Sequence, residues 1–192
     1  ICRLPGYTGA FVPAPGFSEY KEALEASNVP VRDIFYRPRE DDNGKPYFEV
    51  PYLALETFAA ELKGQDGRII VFLGNPNNPD GTLLDKDHIR TVASMLKDAN
   101  SLLVIDESFI DFVGNDPLQE NEHSMRSLVN EFDNIIVVHS FTKFYAVPGL
   151  RIGAAFANET LITQLQQYIP SWSVNTLAQA YTKAALNDVD YI

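Results

Sequence analysis

Three short apolar segments in the middle of the chain limit its fold more than any other feature. Residues 69–73, 102–105 and 135–138 are runs of Ile, Val, Leu and Phe without polar alternation, which is typical of strands buried on both faces of a parallel sheet. Helical patterns separate them, and Asp85 can cap the helix that follows the first. Because alternating strands and helices imply right-handed crossovers, we predict an α/β fold with a mainly parallel sheet flanked by helices.

Polar side chains follow each of these strands. Asn77 and Asn78 come after the first strand, Asp106 ends the second, and residues 140–143 follow the third. Since the carboxyl ends of parallel strands meet at one edge of a sheet, where open α/β folds bind ligands, we expect these residues to lie together. Each also has a simpler interpretation: residues 77–81 can be only a turn, and Asp106 can cap a following helix.

Lys143 lies just past the third strand, with the hydroxyls of Ser140 and Thr142 and the guanidinium of Arg151 close by in sequence. A lysine amine that can form a Schiff base, with anion binders beside it, is what a pyridoxal phosphate site requires. A single lysine in a loop is usually a solvated charge, and Arg151 could pair with any surface carboxylate. These residues therefore indicate the cofactor only in combination.

The combination resembles the large domain of fold-type I pyridoxal phosphate enzymes, in the aminotransferase class I/II family. Three stretches carry the resemblance: residues 77–81, residues 106–109, and residues 140–143 with Arg151 eight positions after the lysine. The family resemblance implies an enzyme with pyridoxal 5'-phosphate as its cofactor, either a carboxy-lyase or an aminotransferase. It also implies a homodimer and a small amino acid phosphate as the substrate.

The resemblance assigns roles to individual residues. It implies that Lys143 is the catalytic residue that forms the Schiff base, that Asp106 keeps the pyridine nitrogen protonated, and that Asn78 donates to the phenolic oxygen of the ring. Phe17 matches the aromatic side chain that stacks on the ring face. The hydroxyls and guanidinium described above, those of Ser140, Thr142 and Arg151, would bind the phosphate. No metal ion is expected in this site.

Within the family, the chain looks most like the threonine-phosphate decarboxylases of cobalamin biosynthesis and the histidinol-phosphate aminotransferases. Residues 142–151 and 172–175 look more like the decarboxylases, and on that basis Trp172 and Asn175 are candidate substrate contacts. Phe109 points the same way, because aminotransferases usually place a Tyr there whose hydroxyl reaches the cofactor. Phe109 can also be simply a core residue. In both groups the cofactor ring stabilises a carbanion, and the orientation of the substrate decides which bond breaks.

Composition excludes several other classes of function. The net charge of −11, with only 15 Lys and Arg residues along the chain, argues against nucleic acid as a partner. A single cysteine, Cys2, excludes an internal disulfide framework and fits a reducing compartment. No apolar segment approaches the ~20 residues that a membrane-spanning helix needs. We therefore expect a cytoplasmic protein.

The ends of the chain and one substitution leave a second class of function open. We expect residues 1–192 to be a partial large domain, truncated at both ends, without the C-terminal small domain of the family. Asp80 stands where the family usually has Thr, which places a negative charge near an anionic cofactor. The alternative is therefore a non-catalytic relative of the fold that acts as a binding partner.

Overall fold

One six-stranded sheet organises the molecule. The computed structural model describes residues 1–62, 67–114 and 121–191. The strands of the sheet, in spatial order, are β2 (Val31–Phe35), β1 (Tyr7–Ala14), β5 (Arg68–Gly74), β6 (Leu102–Asp106), β7 (Ile135–Ser140) and β8 (Gly153–Phe156). Two further strands, β3 (Arg37–Glu40) and β4 (Pro46–Glu49), form a separate antiparallel hairpin.

The strand directions confirm the predicted fold class. Every neighbouring pair from β2 across to β7 is parallel, and only β8 at the edge runs antiparallel to β7. The three apolar runs predicted to be buried strands are β5, β6 and β7, and they occupy consecutive positions in the sheet. An antiparallel edge strand on a parallel sheet is common in α/β folds.

Helices cover both faces of the sheet, and each face has its own core. The helices are α1 (Ser18–Glu25), α2 (Tyr52–Leu62), α3 (Lys86–Asp98), α4 (Phe141–Phe144), α5 (Glu159–Gln166) and α6 (Thr176–Ala185). Apolar residues of α2 and α3 pack with Leu73, Ile105 and Val137 on one face. Residues of α1 and α5 pack with Phe72 and Val104 on the other. In the part of the chain described, no helix is long and apolar enough to cross a membrane.

The start of α3 shows how local sequence sets a helix boundary. Asp85 has an extended backbone, and its Oδ1 accepts hydrogen bonds from the backbone N–H groups of Asp87 (3.0 Å) and His88 (2.9 Å). These bonds satisfy two of the N–H groups that the first turn of a helix leaves without partners. The predicted cap is therefore confirmed.

The central strands should be the most sensitive part of the fold. We expect Leu103→Ala, at a fully buried position of β6, to lower the free energy of unfolding by about 2–5 kcal/mol, because it removes buried methyl groups and leaves a cavity. Leu53→Ala, at a position 74% exposed, is the matched control and should change it by less than about 0.5 kcal/mol. Urea unfolding followed by circular dichroism measures both, and equal losses would contradict this account of the core.

The Asp85 cap should stabilise the protein in a pH-dependent way. Hydrogen bonds from the His88 backbone and imidazole, and from the Asp87 N–H, hold the pKa of Asp85 below its ordinary value. A lowered pKa means that the stabilisation is complete above the pKa of the unfolded chain, about 3.9, and is lost as the pH falls through the folded-state pKa. We expect Asp85→Ala to cost about 1 kcal/mol at pH 7, and this difference from the parent to shrink below about pH 4.

The measurement is the free energy of unfolding of parent and variant between pH 3 and pH 7. Asp42→Ala, in an exposed loop, is the control and should behave like the parent throughout this range. A cost for Asp85→Ala that does not change with pH would contradict the ionic part of the cap.

Candidate active site

The carboxyl ends of β5, β6 and β7 lie side by side at one edge of the sheet. Gly74 is paired with Asp106, and Asp106 is paired in turn with Val138. Past the strand ends, the Asn75 N–H donates to the Asp106 carbonyl oxygen at 2.8 Å. The polar segments after the three strands therefore reach the same edge, as the sequence predicted.

Asp106 is partly buried at this edge, and its carboxylate is held from two sides. Its Oδ1 accepts hydrogen bonds from the N–H of Ser108 (2.8 Å) and from the hydroxyl of Ser108 (2.6 Å). Its Oδ2 accepts a hydrogen bond from the phenol of Tyr20 at 2.8 Å. The short 3₁₀ helix that follows begins at Ile110 and has Phe109 before it, so Asp106 is not a helix cap.

Lys143 lies in α4, the single helical turn that follows β7. Ser140 is the residue before this turn, and its Oγ accepts a hydrogen bond from the Thr142 N–H at 3.3 Å. The Ser140 and Thr142 hydroxyl oxygens are 2.6 Å apart. The turn leaves Lys143 exposed, and the lysine forms no ion pair with any other described residue. Two hydroxyls and a free ammonium therefore lie within four residues.

Aromatic side chains line one side of the lysine. The Lys143 Nζ lies 5.9 Å from the centroid of the Phe109 ring. Phe109 contacts Phe112, and Phe112 contacts Phe144 edge-on, with centroids 5.4 Å apart. Phe109 is thus partly buried in an aromatic cluster, as a core residue would be. It also faces the lysine amine, as a residue of a cofactor site would.

A buried histidine ties that aromatic segment to β7. The Nε2 of His139 lies 3.0 Å from Oδ2 of Asp111, which belongs to the 3₁₀ helix after β6. His139 directly precedes Ser140 in the strand. The pair therefore helps to hold the segment that carries Phe109 close to the segment that carries Lys143.

Phe17 and Tyr20 approach the edge from the start of α1. Phe17 is 40% exposed, and its ring meets the Tyr20 ring edge-on, with centroids 5.5 Å apart and an interplanar angle of 82°. The Tyr20 ring stacks on Phe72 of β5 at 5.3 Å. Burial raises the pKa of Tyr20, and the neighbouring charge of Asp106 raises it further. The sequence did not indicate this contact, because Tyr20, Ala23 and Leu24 have the spacing of one apolar helix face, which is typical of core residues.

The segment after β5 forms the predicted turn. Gly81 has a φ of +76°, and its N–H donates to the Asn77 carbonyl at 2.8 Å. Both oxygens of Asp80 accept hydrogen bonds inside this segment, one from the Asn77 amide and one from the Thr82 hydroxyl. The unexpected carboxylate is therefore satisfied by its own neighbours.

The two asparagines of the turn differ in their surroundings. The buried Asn77 also donates to the Pro15 carbonyl at 3.0 Å, which ties the turn to the end of β1. The side chain of Asn78 is only partly buried and makes no hydrogen bond to another described residue. Asn78 is thus the asparagine whose amide is available to a ligand.

Arg151, Asn175 and Trp172 are the remaining residues that the sequence predicted at the site. Arg151 has a left-handed backbone, with φ 50°, and its Nη1 donates to the Pro148 carbonyl at 2.8 Å. It stands two residues before Gly153, which is paired with Ser140, so it reaches the same edge. Asn175 caps α6 and donates to the Leu150 carbonyl at 3.4 Å. Trp172 is 95% exposed, and the described part of the structure does not bring it to Lys143.

Glu107 is a second carboxylate at the end of β6, and it serves a different purpose from Asp106. It is fully buried, and its oxygens accept hydrogen bonds from the Asn75 amide (3.2 Å), the Met125 N–H (2.5 Å) and the Ser124 hydroxyl (2.7 Å). Arg126 adds a charge at 3.8 Å. These contacts are structural, and they hold the segment around residue 125 under the sheet edge.

A separate cavity of about 170 Å³ lies beside Tyr145. Its lining residues are Tyr145, Tyr181, Ala184, Ala185, Asp188 and Tyr191. None of the predicted site residues lines this cavity. The cavity is therefore distinct from the edge that carries Lys143 and Asp106.

Comparison with known proteins matches the chain to one family and to relatives of two kinds within it. The family model for aminotransferases of class I and II matches residues 1–192. Threonine-phosphate decarboxylase of Salmonella typhimurium is 32% identical to this chain, over 93% of this chain and 44% of its own length. Histidinol-phosphate aminotransferase 2 of Psychrobacter arcticus is 39% identical, over 63% of this chain and 33% of its own length.

A solved structure shows the same fold. Histidinol-phosphate aminotransferase from Clostridium acetobutylicum superposes with a TM-score of 0.78 at 22% identity, over 96% of this chain and 50% of that one. Against the first three curated relatives, the chain spans between 19% and 45% of their length. This chain thus corresponds to part of each of these proteins.

The structural role of Glu107 can be tested by removing only its charge. We expect Glu107→Gln to lower the free energy of unfolding by about 1–3 kcal/mol, because an amide cannot accept from all the donors around it and leaves one of them buried without a partner. Glu122→Gln, whose side chain is 85% exposed, is the matched control. Chemical denaturation measures both, and a Glu107→Gln protein as stable as the control would overturn this assignment.

Proposed function

The chain belongs to the aminotransferase class I and II family, and we infer that the protein is a pyridoxal-phosphate-dependent enzyme acting on a small phosphorylated amino acid. One observation carries this proposal: Asp106 and Lys143 follow neighbouring strands at one edge of a parallel sheet, and the Lys143 amine lies 5.9 Å from the centroid of the Phe109 ring. That edge is where open α/β sheets bind their ligands. The domain that binds the cofactor would comprise residues 1–192.

The residues at the edge fit the cofactor in their chemistry. Lys143 would hold it through its amine, and the exposed, unpaired ammonium described above is available for that bond. The Asp106 carboxylate would accept a hydrogen bond from the protonated ring nitrogen, and the amide of Asn78 would donate one to the phenolic oxygen. When bound, pyridoxal phosphate supplies an electron sink for the charge that is left when a substrate bond breaks.

Three further side chains supply donors for the phosphate. The adjacent hydroxyls of Ser140 and Thr142 can rotate away from each other toward an anion. The guanidinium of Arg151 is exposed, and its hydrogen bond to a neutral carbonyl can be exchanged for a stronger one to a phosphate oxygen. On the opposite side, the partly exposed ring of Phe17 would cover one face of the cofactor.

We propose threonine-phosphate decarboxylation, in cobalamin biosynthesis, as the reaction. Phe109 lies 5.9 Å from the lysine amine and has no hydroxyl, so Asn78 would be the main side-chain donor to the phenolic oxygen. The second candidate is amino transfer from histidinol phosphate, since relatives of both names align with the chain. Lys143 would act as a proton donor in the first reaction and would also move a proton from Cα in the second.

Two further proposals concern the assembly and the location of the enzyme. We propose that it works as a homodimer, as the family resemblance implies. We also propose that it is cytoplasmic, because a single cysteine fits a reducing compartment. Trp172 and Asn175 stay candidate substrate contacts. Asp80 is compatible with catalysis in this proposal, since both of its oxygens are occupied by neighbouring donors.

The first test is the absorbance spectrum of the protein with added pyridoxal phosphate, before and after borohydride. We expect a visible band that borohydride removes by fixing the cofactor to Lys143, and peptide mass spectrometry should locate the bound mass there. Lys143→Ala should lose the band and at least ~100-fold of the activity. Lys183→Ala, an exposed lysine in the last turn of α6, is the matched control and should retain both.

The substrate test compares threonine phosphate with histidinol phosphate on the loaded protein. Release of CO2 from the first supports the decarboxylase, and transfer of the amino group from the second supports the aminotransferase. A band without turnover of either compound would contradict both reactions. Absence of any band would contradict the cofactor and favour the non-catalytic relative.

A further inference from the structure

We propose that Tyr20 is a positioning residue that holds the Asp106 carboxylate in the orientation that receives the N–H of the cofactor's ring, and that it couples this contact to Phe17. The inference rests on the proposed function, because it concerns the same cofactor. It arises from a contact that links two residues 86 positions apart, the Tyr20 phenol and the Asp106 carboxylate.

The acceptor position of Asp106 that is left open for the cofactor lies on one particular oxygen. An ionised carboxylate offers about four lone-pair positions, two on each oxygen. Oδ1 already accepts two hydrogen bonds, from the N–H and the hydroxyl of Ser108, and Oδ2 accepts one, from Tyr20. The remaining position is on Oδ2, so the ring N–H would bind the same oxygen that Tyr20 binds.

The phenol also prevents the carboxylate from turning. Ser108 holds one oxygen from the chain just after β6, and Tyr20 holds the other from α1, so rotation about the Cβ–Cγ bond would break hydrogen bonds at both ends. Without the Tyr20 hydroxyl, Oδ2 would be held by nothing in the described part of the chain. Its orientation would then depend on solvent.

Tyr20 can do this because its own position is determined by the sheet. Its ring stacks on Phe72, a buried residue of β5, with an interplanar angle of 21°. Burial and the neighbouring Asp106 raise the pKa of Tyr20, which favours the protonated phenol and therefore its role as the donor toward Asp106. Phe17 packs edge-on against the same ring. Tyr20 thus positions both Asp106, which would bind the ring nitrogen, and Phe17, which would stack on the ring.

The test compares two ligands that differ only at the ring nitrogen: pyridoxal phosphate and the analogue in which a carbon replaces that nitrogen. Both can bond to Lys143, so absorbance titration gives a Kd for each. We expect the parent to prefer pyridoxal phosphate, and Tyr20→Phe to reduce this preference about tenfold, since it weakens a hydrogen bond to a charged group. The Phe ring retains the contacts with Phe72 and Phe17.

The matched control is Tyr7→Phe, which removes a phenol that lies 3.2 Å from Arg68 at the start of β1, away from the site. Its preference should equal that of the parent. Asp106→Asn should abolish the preference, and adding Tyr20→Phe to Asp106→Asn should change the ratio no further, because Tyr20 acts through Asp106. Circular dichroism verifies that each variant is folded.

The outcomes separate the two proposals. A Tyr20→Phe protein that weakens both ligands equally, or that binds both like the parent, overturns the positioning role and leaves the proposed function intact. A further loss of preference in the double variant also overturns it. A parent protein that forms no borohydride-reducible band with either ligand overturns the proposed function and this inference with it.

Discussion

The hydrogen-bonded ladder between β5, β6 and β7 is the constraint on which the rest of the structure depends. These strands are buried on both faces, so their backbone groups must pair with one another and can be displaced only at the cost of exposing the core. Val104 and Ile105 in the centre of the ladder are fully buried, one on each face. The register that this burial enforces places the ends of all three strands level with each other.

The alternation of side chains at the end of β6 directs two adjacent carboxylates to opposite faces of the sheet. Successive residues of a strand point to opposite faces of the sheet, so the adjacent carboxylates Asp106 and Glu107 serve different neighbours. Asp106 meets Tyr20 from α1 and remains partly open at the edge. Glu107 turns to the other face, where Asn75, Ser124 and Met125 satisfy it completely. A one-residue slip in register would exchange these environments.

Lys143 depends on the ladder in a second way. The helical turn that carries it begins directly at the end of β7, so the strand sets the position of the turn without an intervening loop. The His139–Asp111 pair and the aromatic cluster around Phe109 then bring the segment after β6 against it. The amine therefore faces the ring of Phe109, while the hydroxyls of Ser140 and Thr142 lie at the start of the same helical turn.

The local pattern of residues was sufficient to predict the parallel sheet, the Asp85 cap and the turn at residues 77–81. Each of these depends on interactions within a few residues. A buried strand needs a run of apolar side chains, the cap needs two neighbouring backbone N–H groups, and the turn needs one positive φ. The resemblance to a known family added the roles of Lys143 and Asp106, which stay predictions.

Contacts between distant parts of the chain were decided only by tertiary structure. Tyr20 looked like core, and nothing within α1 shows that its phenol meets Asp106. The antiparallel direction of β8, the complete burial of Glu107 and the exposure of Trp172 are of the same kind. The physical reason is that amino-acid periodicity specifies which face of an element is apolar, whereas the partner of a polar group is chosen when separate elements pack together.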